Sequence, residues 1–214
     1  MSEFLVTAAV SQELANFRKG SGSRIQCLIT GMGSRAGEVV RKRLQQRDVR
    51  LVISTGFSGG TRPGFEIGDL VIASEVIHAG SGQRRRPELS YLGLNGLASV
   101  GPFVTVERAL ADPQAKSEVG QKFGAISVDL ESASIAQAAD QAGIAWVAMR
   151  AILDPMERSL VVCSWRDGLR LLALPNRWRQ LSSFMESTRT ASRSLARGLN
   201  YLVERITSEN RKGG

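Results

Sequence analysis

Val49-Arg50-Leu51-Val52-Ile53-Ser54-Thr55-Gly56-Phe57-Ser58-Gly59-Gly60 opens as an apolar, β-branched run and closes on glycines and hydroxyls. The first part, Val49 to Thr55, reads as a buried strand, because a short apolar run bounded by turn residues fits the interior of an α/β sheet. The second part, Gly56 to Gly60, reads as a turn at that strand's C-terminal end. Three glycines let the backbone come close to a ligand and offer its N–H groups, while Thr55 and Ser58 add hydroxyls. Ligands in open α/β sheets sit at such strand ends. A tight loop without a ligand fits this stretch equally well when it is taken alone.

Outward from this stretch, short apolar runs alternate with helix-like segments, the pattern of an α/β fold with a largely parallel central sheet. Toward the N-terminus, Phe4 to Val10 reads as strand, a short helix follows from Ser11, and Arg24 to Thr30 is a second strand. Gly31-Met32-Gly33-Ser34 then turns into an amphipathic helix over Arg35 to Gln46. Toward the C-terminus, Leu70 to Ile77 reads as strand, and His78 to Ser99, polar and carrying Arg84-Arg85-Arg86, as loop. Phe103 to Val106 is a brief strand, and Asp112-Pro113 caps and starts a helix. Ala125 to Val128 is strand, Glu131 to Ala142 is helix closed by Gly143, and Ala145 to Leu153 is strand. The expected architecture is a single-domain, three-layer α/β fold, its mixed, largely parallel sheet flanked by helices.

Composition narrows the class. At 214 residues and 43% hydrophobic, the chain buries one sizeable core. Its apolar runs are strand-sized, short of the roughly 20 residues of a membrane span. The start, MSEFLVTAAVSQE, lacks a basic segment and predicts no signal peptide. Cys27 and Cys163 stand among apolar neighbours and read as reduced thiols, so the expected location is cytoplasmic. His78 is the single histidine, which leaves a metal site without ligands.

The charge is uneven. Residues 161–214 hold ten basic against four acidic side chains, most of the net +8. Leu181, Phe184, Met185, Leu195, Leu199, Leu202 and Ile206 fall near helical spacing, with Arg189, Arg193, Arg197 and Arg205 between them. The chain therefore divides into a core over 1–160 and a basic extension over 161–214. That extension holds one or two amphipathic helices packed on the same domain. Its cationic face suits solvent, an anionic membrane surface in peripheral contact, or nucleic acid. No nucleic-acid partner is expected, because interleaved aromatics and a matching fold are missing.

Three motifs carry chemistry. Gly31-Met32-Gly33-Ser34-Arg35-Ala36 follows a strand and opens a helix like a dinucleotide fingerprint, but the next strand ends Ile53-Ser54-Thr55-Gly56, without the acid that would hold a ribose. Close strand–helix packing explains it better. Asp129-Leu130-Glu131 lies where a strand passes into a helix, where carboxylates either favour the helix N-terminus or accept sugar hydroxyls. Asp154 ends an apolar strand before Pro155, where burial raises a carboxyl pKa and makes a proton donor, although Asp-Pro is also an ordinary turn.

Taken in order, Ile53 to Gly60 with Ile67-Gly68-Asp69-Leu70-Val71, Val128 to Ala133, and Met149 to Asp154 resemble the purine nucleoside phosphorylase and nucleosidase superfamily across about two-thirds of the chain. The resemblance is closest to the methylthioadenosine/adenosylhomocysteine nucleosidases. More narrowly, through Gly101 to Val106, Asp154 to Leu160 and the arginine-rich C-terminus, it is closest to the hopanoid-associated phosphorylases. It implies cleavage of the N-glycosidic bond of a purine nucleoside-like small molecule, with release of adenine from an adenosylated hopanoid as one case. No cofactor is implied, and phosphate enters only as a co-substrate. A catalytically weak nucleoside binder is the alternative of another class.

By the same resemblance Asp154 protonates the leaving base at N7, and Glu13 positions the attacking water. Glu131 binds the ribose hydroxyls, Leu130 packs on the sugar, and the Gly59-Gly60 turn lies beside sugar and nucleophile; Asp129, Phe57 and Ser58, from the same motifs, complete the expected substrate-binding set. Asp154, Glu131 and Glu13 are thus expected to converge on one cavity in a homo-oligomer. The chain departs from the family at Leu153, where a serine usually precedes the acid, and at Phe57, which replaces a small polar residue. Ala109 and Leu110 stand where many relatives place an aromatic. The choice between water and phosphate stays open here.

Overall fold

The computed structural model describes residues 4–17, 25–46, 48–87, 96–158 and 178–212. Eight strands form one sheet: β1 (Phe4–Ala8), β2 (Ile25–Ile29), β3 (Leu51–Gly60), β4 (Leu70–His78), β5 (Arg84–Arg85), β6 (Ser99–Thr105), β7 (Ser127–Asp129) and β8 (Ala145–Asp154). Helices α1 (Arg35–Leu44), α2 (Pro113–Phe123), α3 (Ser132–Ala142) and α4 (Trp178–Lys212) surround it, and a short 3₁₀ turn spans Ser11–Leu14.

Alternation along the strands sorts side chains into two layers, as the period of two requires. Leu5, Val52, Val71, Trp146, Ala148 and Ile152 pack with Ala36 and Val40 of α1 and Ile135 and Ala139 of α3. Their neighbours Phe4, Val6, Ile53, Ile72, Val147 and Met149 pack with Leu195, Leu199, Leu202 and Ile206 of α4. The result is three layers, helix on sheet on helix, and the second face of the sheet is covered by residues from the basic C-terminal region. Helix starts and stops follow the local chemistry. Asp112 accepts from Ala115 N at 3.0 Å at the head of α2, and Gly124 and Gly143 close α2 and α3 with φ of 66°.

The strand order is β2-β1-β3-β7-β6-β4-β5, and β8 pairs with both β3 and β4. β3, β7, β6, β4 and β8 therefore close into a ring, from which β1 and β2 extend on one side and β5 on the other. Pairing is parallel for β1 with β2, β1 with β3, β3 with β8, β4 with β6 and β6 with β7, and antiparallel elsewhere, so the sheet is mixed.

Two expectations change. Gly56 to Gly60 is strand rather than turn: Thr55 to Ser58 pair with Met149 to Ile152, and Gly59 faces both Asp154 and Val128. A register shift between Ser58 and Gly59 bends the strand where side chains are absent, which lets the sheet close. Within the expected loop after His78, β5 pairs with Val76 and Ile77, and β6 begins at Ser99, ahead of the expected Phe103. Of the one or two helices expected in the C-terminal region, the described residues hold α4. Cys163, Arg166, Arg170 and Arg177 lie outside the described residues, and so does the side chain of Leu181.

Candidate active site

Glu13 enters from the 3₁₀ turn after β1, and it is buried. Its Oε2 accepts from Ala9 N at 2.7 Å and Val10 N at 3.1 Å, and its Oε1 accepts from Phe57 N at 2.8 Å. The carboxyl lies against Gly56, where a Cβ would stand 2.7 Å from Oε1. Glycine at 56 is therefore a condition for Glu13 to approach β3. Burial pushes the Glu13 pKa above its ordinary value, against the lowering pull of those N–H groups and of Arg150.

Glu131 stands at the head of α3 and is buried, its Oε1 accepting from Gly33 N at 2.8 Å. Burial, with the Asp129 charge second, raises its pKa to about 7, and the charge of Glu13 adds to the rise. The Gly31–Ser34 turn thus holds a carboxyl besides letting α1 pack.

Asp129 does not fit the role of a sugar ligand. It is buried at the end of β7 and ion-paired to Arg150 at 2.9 Å. It also accepts from Thr105 Oγ1 at 2.7 Å and from the Ser132 hydroxyl. Both of its oxygens are occupied inside the protein. Arg150, whose side chain is 1% exposed, donates further to Ser54 O, Ser54 Oγ, Met149 O and Ser132 Oγ. Among the described residues its Nε has no partner. This ion pair ties β7, β8 and the head of α3 together beneath Glu13 and Glu131. Sequence reading missed Arg150, which looks like one more residue of an apolar strand.

Asp154 ends β8 opposite Gly59 and is 7% exposed. Burial raises its pKa, and the ammonium of Lys116, 2.9 Å from Oδ2, pulls it partly back. Lys116 was also missed. Of the remaining candidates, Ser58 accepts from Ser127 Oγ at 2.7 Å and Phe57 packs on the α4 side of the sheet. Leu130 lines a cavity of about 640 Å³ together with Ser34, His78, Arg85, Thr105 and Gln137.

Two of the three carboxyls stand at the glycine half of β3, Glu13 at Gly56 and Asp154 at Gly59, and Glu131 lies on the Gly31–Ser34 turn. Glu13 and Glu131 act on one another electrostatically and share Arg150. None of the three lines the 640 Å³ cavity, whose walls include Leu130, so the expected convergence of all three carboxyls on one cavity is not seen there. Among the described residues, no cluster of His, Cys, Asp and Glu is placed to hold a metal.

Two 5'-methylthioadenosine/S-adenosylhomocysteine nucleosidases, from Geobacillus thermodenitrificans and Geobacillus kaustophilus, are each 31% identical to the chain over 48% of it and 54% of their own length. The chain thus spans about half the length of these relatives. Solved structures share the fold. The nucleosidase of Neisseria meningitidis in complex with methylthio-immucillin-A has a TM-score of 0.70 at 21% identity, covering 97% of this chain and all of the other (100%). A Borrelia burgdorferi protein bound to adenine has a TM-score of 0.73 at 18% identity, covering 95% of this chain and 99% of the other. The family model of the phosphorylase superfamily matches residues 11–93 and 93–162, the span that carries Glu13, β3, Glu131 and Asp154, and the chain belongs to that superfamily.

Proposed function

We propose that the protein cleaves the N-glycosidic bond of an adenosyl nucleoside and releases adenine. The observation that carries this reading is the set of three buried carboxyls, two of them at Gly56 and Gly59 of β3, each with its pKa raised by burial. Bond breaking builds positive charge on the sugar and negative charge on the departing purine. A protonated Asp154 neutralises the second, and the carboxylates of Glu131 and Glu13 stabilise the first. Both steps need only side chains and the nucleophile, so no cofactor is required.

Water is the proposed nucleophile. The buried cation beneath Glu13 is Arg150, already neutralised by Asp129, so little positive charge is left to hold a phosphate beside two acids. The names of the relatives, nucleosidases, agree with this. An adenosylated hopanoid is one candidate among adenosyl compounds.

The test offers several adenosyl compounds with and without phosphate and identifies the sugar product by mass spectrometry. A free pentose is expected, and a phosphorylated pentose would assign phosphorolysis. Asp154→Asn is expected to lower turnover by about 10²–10⁴-fold with the fold retained. Full turnover in that variant removes Asp154 from the mechanism. Nucleoside binding by calorimetry with no base released would instead favour a binder.

A second reading concerns α4. Met185, Arg189, Arg193, Arg197, Tyr201 and Arg205 follow one another at four-residue steps on its exposed side, and Arg205 lies 6.0 Å from the Tyr201 ring centroid. Cations alternating with an apolar and an aromatic side chain suit an anionic lipid surface. Co-sedimentation with anionic but not neutral vesicles supports it. Equal sedimentation with both counts against it.

A further inference from the structure

Lys116 is a buried cation in an unfavourable place. It lies in the first turn of α2, where the helix dipole repels positive charge, and its side chain is 0% exposed. Its position is set by close packing. At Gly120, one turn on, a Cβ would stand 2.5 Å from Thr61 O, so α2 lies directly against the end of β3. The lysine stem passes Gly59, where a Cβ would stand 3.6 Å from Lys116 Cδ. The ammonium then donates to Asp154 Oδ2 at 2.9 Å, Pro155 O at 2.8 Å and Arg158 O at 2.6 Å. All three donors of the ammonium are used, and all go to Asp154 or the turn after it.

Resting on the reading of Asp154 as the acid, we propose that Lys116 is the positioning residue of this site, fixing Oδ2 of Asp154 so that the transferable proton sits on Oδ1. No described residue bonds Oδ1, so this oxygen is left for the purine. The proton passes from Oδ1 to the departing base, and the carboxylate that remains is held by the ammonium. Lys116 also sets how strongly Asp154 keeps its proton. Among the described residues it is the charged side chain that acts on this carboxyl. β3 presents Gly59 here and β7 presents Val128. In the following turn Glu157 is exposed and engaged by Gly64 N at 3.2 Å, and the Arg158 side chain is exposed.

The test compares wild type with Lys116→Met and Lys116→Gln in the full chain, folding being checked by circular dichroism. Loss of the ammonium removes a charge that favours the carboxylate, so Asp154 holds its proton to higher pH. The alkaline limb of kcat/KM for adenine release is expected to move up by about one pH unit or more, while kcat falls. The titration of the Asp154 carboxyl, followed by carbon NMR and assigned with Asp154→Asn, is expected to move the same way without any turnover.

A lysine that only braces the fold lowers the unfolding temperature and leaves both curves where they were, and that result overturns the proposal. Failure of both variants to fold overturns it too, because the lysine then belongs to the scaffold. Full activity in Asp154→Asn is a separate failure, since it removes the acid itself while the NMR titration still reports on the pair.

Discussion

Glu131 is held at odds with its own charge. Its pKa is raised from 4.5 to about 7, so between those values the folded protein binds a proton that the unfolded chain has released. The sign follows: this group favours the fold fully below pH 4.5, and the contribution is lost as pH rises to about 7. Ionised Glu131 therefore costs the unliganded protein on the order of 3 kcal/mol at alkaline pH. Glu131→Gln is expected to raise stability to urea at pH 8 by an amount of that order, with little change at pH 4, and to weaken nucleoside binding. A glutamine variant less stable than wild type at pH 8 would show that the carboxylate is better accommodated than its burial implies.

The same residue scale separates what the chain discloses from what it hides. Asp154 and Glu131 are conspicuous as acids at strand and helix ends, whereas Glu13 stands out only through the family resemblance. Lys116 does not stand out, because its partner lies 38 residues away and a lysine early in a helix reads as solvated. Asp129 was read as a ligand for the converse reason: the arginine that occupies it lies on another strand, and only pairing brings the two together.

At the scale of elements, α4 is fastened by its apolar side. Leu195, Leu199 and Leu202 are fully buried or nearly so against β3, β4 and β8. Leu199→Ala is expected to lower unfolding stability by about 2–5 kcal/mol, and Met185→Ala, at an exposed position, by less than about 0.5 kcal/mol. Equal effects in chemical denaturation would mean that α4 is not part of the folding unit. Helical spacing made this face legible from the sequence. The fate of Gly56 to Gly60 was not, since glycines favour turns locally and only β7 and β8, from far along the chain, supply the pairing that overrides that preference.

For the whole molecule, the uneven charge becomes a surface. On the proposed reading of α4 as a lipid-facing helix, replacing Arg189, Arg193 and Arg197 by glutamine is expected to remove about 3 kcal/mol of attraction to an anionic bilayer, at roughly 1 kcal/mol for each side chain. Vesicle affinity is expected to fall more than about a hundredfold, and to fall in wild type as salt rises, with adenine release from a water-soluble substrate unchanged. Affinity indifferent to the three arginines would return them to the role of a solvated face. Composition had announced the charge; the four-residue stripe needed a single continuous helix to be seen.

The ring of β3, β7, β6, β4 and β8 has a further meaning for how the molecule breathes. A circle of strands offers no loose end from which to peel, so the backbone under Glu13 and Asp154 separates from its neighbours only when the whole circle comes apart. The amide proton of Ser58 should therefore swap with heavy water at the pace of complete unfolding and slow in step with any stabilising change elsewhere. Fast swapping there would reveal a hidden seam in the circle. Without such a seam, the backbone floor beneath these two carboxyls stays shut for as long as the chain is folded.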